Sequence, residues 1–322
     1  MVSDKKMARA AETALTQYLG LKKGEKLLVV VNPEMERIGE SLYREGLKLG
    51  AEAALLYYPP GKINGEEPPR LVGEAMAKAD VVVAATVASI THTRARRRAC
   101  QLGARIATMP GITDEIFVRG LGADYREISR LSNAIFAMLD SARVAHVTSP
   151  SGCDLVLDIR NRAVASSGNI TAKGTCSNLP GGEAELAPKT ANGVLVADRC
   201  GEYITEPTRL EIKEGFIVKY EGTPSGRRFK RLVEESMQVD GNKNASFIAE
   251  FAIGTNKQAK VTGVILEDEK AYGTCHIAFG DNTSYPGGRN KSTLHIDVII
   301  LKPTIALDGK TIMKKGKLVE DR

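Results

Sequence analysis

Residues 273–300, GTCHIAFGDNTSYPGGRNKSTLHIDVII, hold two of the four histidines in the chain. The runs CHIAFG and TLHIDVII are apolar and predict two strands, and the glycines after the first suit a turn. Side chains at i and i+2 of a strand share a face. His295 and Asp297 therefore project side by side, while Cys275 alternates to the face opposite His276 and is expected in the core. Two strands carrying His276 and His295-x-Asp297 can supply three ligands to one metal ion, and imidazole plus carboxylate suits zinc, manganese, cobalt or non-haem iron. A lone buried histidine is more often a hydrogen-bonded core residue than a ligand, so the metal reading gains weight only if more carboxylates join. Two lie upstream. Glu183 sits in NLPGGEAELAP, and Glu250 sits in FIAEFAIGTN, an apolar run where an unpaired carboxylate is costly.

Working outward, residues 149–322 are strand-rich: DLVLDIRN, GVLVADR, TRLEIKEG, FIVKYEG, TGVIL, TCHIAFG, TLHIDVII and PTIALDGK, with one helix, GRRFKRLVEESMQ. This predicts an α+β metal-binding domain. Residues 1–148 instead alternate helices with continuous apolar strands: KLLVVV, AEAALLYY, DVVVAAT, ARIATMPG and RVAHVTSP. That pattern predicts a parallel sheet, an α/β domain in Rossmann-like outline. The turn after the first strand, VVNPEMERIG, has no G-x-G-x-x-G or P-loop glycines, so no nucleotide cofactor is expected. His92, in SITHTRARRRA, follows the third strand, where sites in such sheets gather. The competing reading is an exposed residue on the first turn of a helix capped by Thr91. His146 reads as structural.

The charged fraction of 26% and hydrophobic fraction of 43% are those of a soluble globular protein. No apolar run reaches the roughly 20 residues of a membrane helix. The first twenty residues read as an amphipathic helix, not a secretion signal. Five scattered cysteines without a CxxC pair fit reduced cytosol, so a cytoplasmic location is expected. A net charge of +6 comes with no tryptophan, and the densest basic run, Arg94 to Arg98, reads foremost as a solvated helix face. Neither a nucleic-acid nor a membrane partner is expected.

The segments NLPGGEAELAP, AEFAIGTN, GTCHIAFG…YPGG and STLHID, in that order, resemble the aminopeptidase T/aminopeptidase S metalloaminopeptidases. The likeness covers the second domain and, more weakly, the first. It implies a two-metal site of zinc, cobalt or manganese held by Glu183, Glu250, His276, His295 and Asp297, with Tyr285 near the metals as a catalytic hydrogen-bond donor. It also implies a homodimer and a small peptide substrate. The same motifs resemble a sister group, the 2,5-dihydroxypyridine 5,6-dioxygenases, which use one Fe(II) on two histidines and an aspartate, here His276, His295 and Asp297. THTRARRRACQLGARIATMPGIT is closer to this shorter group, and in that reading His92 is a catalytic acid–base residue acting on a small-molecule ring. The extra carboxylates favour the peptidase expectation; a ring-cleaving dioxygenase is the alternative.

Overall fold

The computed structural model describes residues 2–319, so Met1 and residues 320–322, included in the two expected domains, lie outside the described residues. The chain divides into two compact units: Met1–Arg126 with Gly168–Gly181, and Glu127–Ser167 with Gly182–Arg322. This differs from the expected boundary at 148/149.

The first unit follows the apolar runs. Strands β1 (Lys26–Val31), β2 (Glu52–Tyr57), β3 (Val81–Ala85) and β4 (Arg105–Thr108) pair in parallel, with β1 and β3 buried along nearly their whole length. Helices α1 (Asp4–Thr13), α2 (Glu36–Lys48), α3 (Arg70–Met76), α4 (Arg94–Gln101) and α5 (Asp114–Leu121) alternate with them. Val30, Val82, Ile106 and Ala99 share one apolar cluster. The cap of α4 is Thr93, not Thr91: its hydroxyl accepts from Arg96 N at 3.3 Å. Thr91 lies in the preceding turn, where its side chain bonds Thr108 and Asn178.

Helix α6 (Tyr125–Ser141) leads into the second unit, where its Ile135 and Leu139 are fully buried. Strand β5 (Val144–Thr148) does not extend the parallel sheet. It pairs antiparallel with β6 (Asp154–Asp158), and both strands alternate buried with half-buried or exposed positions. That alternation is the mark of a half-covered antiparallel sheet. After β7 (Val164–Ser166) the chain returns to the first unit, where β8 (Cys176–Asn178) adds in parallel beside β4. It then builds β9 (Glu183–Leu186), β10 (Thr190–Ala197), β11 (Thr208–Lys213), β12 (Phe216–Tyr220), α7 (Pro224–Asp240) and β13 (Ile248–Gly254). The short α8 (Ile265–Asp268) precedes β14 (Thr274–Gly280), β15 (His295–Leu301), β16 (Thr304–Leu307), β17 (Lys310–Lys314) and β18 (Lys317–Leu318). TGVIL, expected as a strand, is instead a turn entering α8. The Asp268 carboxylate accepts the backbone N–H groups of Thr262 and Gly263 and so satisfies donors that a strand would have paired elsewhere.

Two sheets result in this unit. One has eight strands in the order β12-β11-β10-β6-β5-β16-β17-β18, the other five in the order β15-β14-β13-β9-β7. Leu155, Leu157 and Leu195 of the first meet Phe251, Ile277, Phe279 and Val298 of the second in one core. Burying an aliphatic or aromatic side chain of this size contributes about 1.5–3 kcal/mol, so this core fixes the five-stranded sheet firmly. Among the described residues no helix is long and apolar enough to cross a membrane.

Candidate metal centre

The five-stranded sheet has one face in the core and one given to polar chemistry. Across β13 and β14, His276 lies opposite Ala252 and Glu250 opposite Ala278. Across β14 and β15, Asp297 lies opposite Ala278 and His295 opposite Gly280. Across β9 and β13, Glu183 lies opposite Gly254 and Glu185 opposite Ala252. All six polar side chains therefore share a face, and each has an alanine or glycine as a cross-strand neighbour. The intervening residues Phe251, Ile253, Cys275, Ile277 and Val298 alternate into the core. The strand period of two thus divides metal-type ligands from apolar packing.

The side chains converge. Glu250 bridges the two imidazoles, with 3.2 Å to His276 Nε2 and 3.2 Å to His295 Nε2. Asp297 Oδ1 lies 3.9 Å from His276 Nε2 and 3.8 Å from His295 Nε2, and Glu183 Oε2 lies 3.6 Å from His276 Nε2. His295 Nδ1 lies 2.7 Å from the Asp281 carbonyl. A carbonyl only accepts, so Nδ1 carries the hydrogen and Nε2 is left facing the carboxylates, the tautomer a metal ligand needs. Tyr285 donates to Glu250 Oε2 at 2.6 Å and lies near Glu185 at 3.4 Å, and its ring stacks on His295 with centroids 6.2 Å apart. Ser166 donates to Glu185.

Two further charged residues enter from the segment after α8. Lys270 Nζ bonds Glu183 and lies 2.8 Å from Glu269 Oε1, with both carboxylates and the ammonium buried. Gly254 permits this approach, because a Cβ there would lie 2.2 Å from the Ala271 carbonyl. The segment is then pinned by Asn256, whose N–H donates to the Lys270 carbonyl at 2.9 Å.

Titration follows from this crowding. Burial disfavours charge on either imidazole, yet the hydrogen bonds and charge of Glu250 prevail, raising His276 to about 9 and His295 to about 10. Burial, with the charge of Glu269, lifts Asp297 to about 8. Burial, with the charges of Glu183 and Glu250, holds Glu185 well above the carboxylate range. Burial opposes charge on Glu250 too, but its bonds to both imidazoles keep it well below that range.

The donors fit a cation. Glu183 Oε2 and Asp297 Oδ1 are buried with no hydrogen-bond partner among the described residues, and both face His276 Nε2. Three overlapping groups offer ligand atoms within 4.8 Å of one another: Glu183, Glu250 and His276; Glu250, His295 and Asp297; and Glu269, His276 and Asp297. Such donors can hold a divalent metal ion, and orphaned buried oxygens are the expected sign of one.

A family model for 2,5-dihydroxypyridine 5,6-dioxygenase matches residues 61–320. The chain belongs to the 2,5-dihydroxypyridine 5,6-dioxygenase family. A relative of that name from Pseudomonas putida (strain KT2440) is 27% identical over 266 residues, covering 76% of this chain and 72% of its own. The solved 2,5-dihydroxypyridine dioxygenase from Pseudomonas putida KT2440 superposes with a TM-score of 0.81 at 20% identity, covering 100% of this chain and 99% of that one. AmpT from Thermus thermophilus superposes with a TM-score of 0.71 at 20% identity, covering 98% and 99%. Both groups resembled in sequence are thus related in fold, and the family places this chain among enzymes.

Within this family member the structure brings Glu183, Glu250, His276, Tyr285, His295 and Asp297 to one sheet face or its edge. His92 is exposed in the turn before α4, in the first unit. His146 bonds Asp154 at 2.7 Å on the exposed face of the eight-stranded sheet, between its interior strands β5 and β6. Arg94 and Arg98 of the basic run pair with Glu67 and Glu74, and Arg96 donates to the Thr91 carbonyl at 2.6 Å. Glu185, Glu269 and Lys270 were not singled out by sequence. The signal for Lys270 was a lysine within the acidic run LEDEK just before the His276 strand, which reads as solvent-facing until the turn is seen to fold inward.

Proposed function

We propose that this chain is a metal-dependent ring-cleaving dioxygenase of the 2,5-dihydroxypyridine type, with one Fe(II) held by His276, His295 and Asp297. The observation that supports it is the two-imidazole, one-carboxylate set on adjacent strands β14 and β15, in a chain of this family. Two histidines and one carboxylate on a face, with open positions, are the ligand set of non-haem Fe(II) oxygenases. When bound, the ion would supply Lewis-acid binding of a hydroxylated ring and activation of dioxygen. The chain supplies the rest. Glu250 fixes both imidazoles and, through Tyr285, orders the loop after β14. Tyr285, whose hydroxyl burial holds above its ordinary range, donates to Glu250 beside the ligand set, and Glu185, raised well above the carboxylate range by burial with the charges of Glu183 and Glu250, lies next to it. In this reading they would hydrogen-bond an oxygen on the ring or return a proton to the opened product.

The test is oxygen consumption. Fe(II)-loaded protein, prepared without air, is expected to take up oxygen with 2,5-dihydroxypyridine and to abolish the ring's ultraviolet absorbance. Absence of uptake with dihydroxypyridines and catechols overturns this reading.

A metalloaminopeptidase is the second reading. Its support is the Glu183, Glu250 and His276 group, which shares His276 with the iron set and adds two carboxylates for a second ion, in a fold also shared with AmpT. Hydrolysis of leucine and phenylalanine anilides by zinc-, cobalt- or manganese-loaded protein would favour it. A homodimer and a cytoplasmic location are proposals under either reading, and sedimentation and cell fractionation test them.

A further inference from the structure

The metal-type donors exceed what one ion needs. Glu183, Glu250, Glu269 and Asp297 crowd around His276, and Glu250 and Asp297 also serve His295. A ligand field with this many carboxylates on one face is the kind that gathers two divalent ions about 3.5–4 Å apart. One feature opposes that outcome. Lys270 places its ammonium between Glu183 and Glu269, bonded to both, with 4% of its side chain exposed.

We propose that Lys270 fills the second cation position of this centre, so that the chain takes one divalent ion where its carboxylates would otherwise take two. The proposal rests on the reading that the site binds a metal, and it deepens it. It stands on geometry. Glu183 has one oxygen bonded by Lys270 and the other turned toward His276, and Glu269 is bonded by the same ammonium. A dication at the Glu183–Glu269 point would have to displace the ammonium or sit against it. His276, His295 and Asp297, with Glu250, remain as the donor set for the single ion.

The position of Lys270 is built rather than incidental. Gly254, opposite Glu183 on β9, lets the Lys270–Ala271 backbone close on β13. Asn256 then holds it from both sides, donating to the Lys270 carbonyl at 2.9 Å and accepting from Tyr272 N at 3.0 Å. A flexible lysine with no such clamp could swing out to water; this one is fixed at its backbone above the carboxylate it neutralises. Because a buried ammonium is stable only with close partners, the lysine and its two glutamates form one unit.

The test is metal stoichiometry, read by elemental analysis and by Mn(II) electron paramagnetic resonance on the full chain. Wild type is expected to hold one equivalent with an isolated-ion spectrum. Lys270→Met is expected to hold two, with a spectrum broadened by coupling between neighbouring ions. Lys270→Arg keeps the charge and is expected to return to one. Two equivalents in wild type, or one in folded Lys270→Met, overturns the proposal. Should Lys270→Met fold only with metal, protein recovered in Mn(II) with two equivalents supports the proposal, and recovery with one, or none, overturns it. No metal in wild type would sink the metal reading itself; one equivalent in both wild type and Lys270→Met sinks only the role of Lys270.

Discussion

Glu250→Gln is the sharpest perturbation of this centre, because it removes charge and keeps shape. Glu250 lies 3.2 Å from each imidazole and is the strongest influence raising both. In the metal-free protein His276 is lifted from 6.5 to about 9, against the pull of burial. At 1.36 kcal/mol per pKa unit that is on the order of 3 kcal/mol favouring the charged ring, most of it supplied by Glu250. With glutamine in its place, both imidazoles should titrate at least roughly one unit lower, since burial then acts with less opposition. The sign for stability follows. In wild type the imidazole contribution is fully present below about 6.5 and is lost as pH rises through about 9 to 10. The variant should show a smaller decline that is complete at least roughly one pH unit earlier. The assay is proton NMR of the imidazole rings in metal-free protein; with only four histidines the spectrum is tractable. Wild-type midpoints near 6.5 for His276 and His295, or midpoints unchanged for both in Glu250→Gln, would refute the reasoning.

Metal affinity should rise with pH up to about 10, because the ion competes with protons on His276 and His295, and calorimetry in buffers of different ionisation enthalpy should show proton release on loading at pH 7. Gly254→Ala should destabilise the protein by about 1–3 kcal/mol or more in urea unfolding, because its methyl group would meet a backbone carbonyl that cannot move without shifting Lys270. Cys176 should be alkylated by iodoacetamide at neutral pH well before the other four cysteines. It is exposed, and the Cys100 thiol and the Arg96 guanidinium at 3.0 Å lower it to about 6; uniform labelling would contradict this.

Much of the site was legible because strand alternation is a local rule. His295 and Asp297 had to share a face once TLHIDVII was a strand, and Cys275 had to turn away from His276 into the core, where it is buried. Glu250 was conspicuous because a carboxylate in FIAEFAIG has no cheap alternative to a partner. Lys270 was hidden for the converse reason: a lysine beside acids looks solvated, and only the closure permitted by Gly254 buries it. The apolar TGVIL suggested a strand, but side-chain capping by Asp268 outweighed β propensity. The boundary was misplaced because it depends on non-local pairing. Nothing within RVAHVTSP says that its partners are β6 and β16, and β8, at three residues, is too short to leave a period.

The pairing of β5 with β16 also sets a timetable. The Arg143 and Val144 amides find their acceptor on Asp308, 165 and 164 positions further along. At a synthesis rate of about 5–20 residues per second, one edge of β5 waits roughly ten to thirty seconds on the ribosome before its partner exists. β6 arrives almost at once and covers the other edge. During that interval the nascent sheet presents an open strand whose outward positions include Val144, His146 and the half-buried Thr148. An uncovered edge is where nascent chains join one another, so expression of this protein should be sensitive to anything that slows translation of its last sixty residues or so, the stretch that also carries His276, His295 and Asp297.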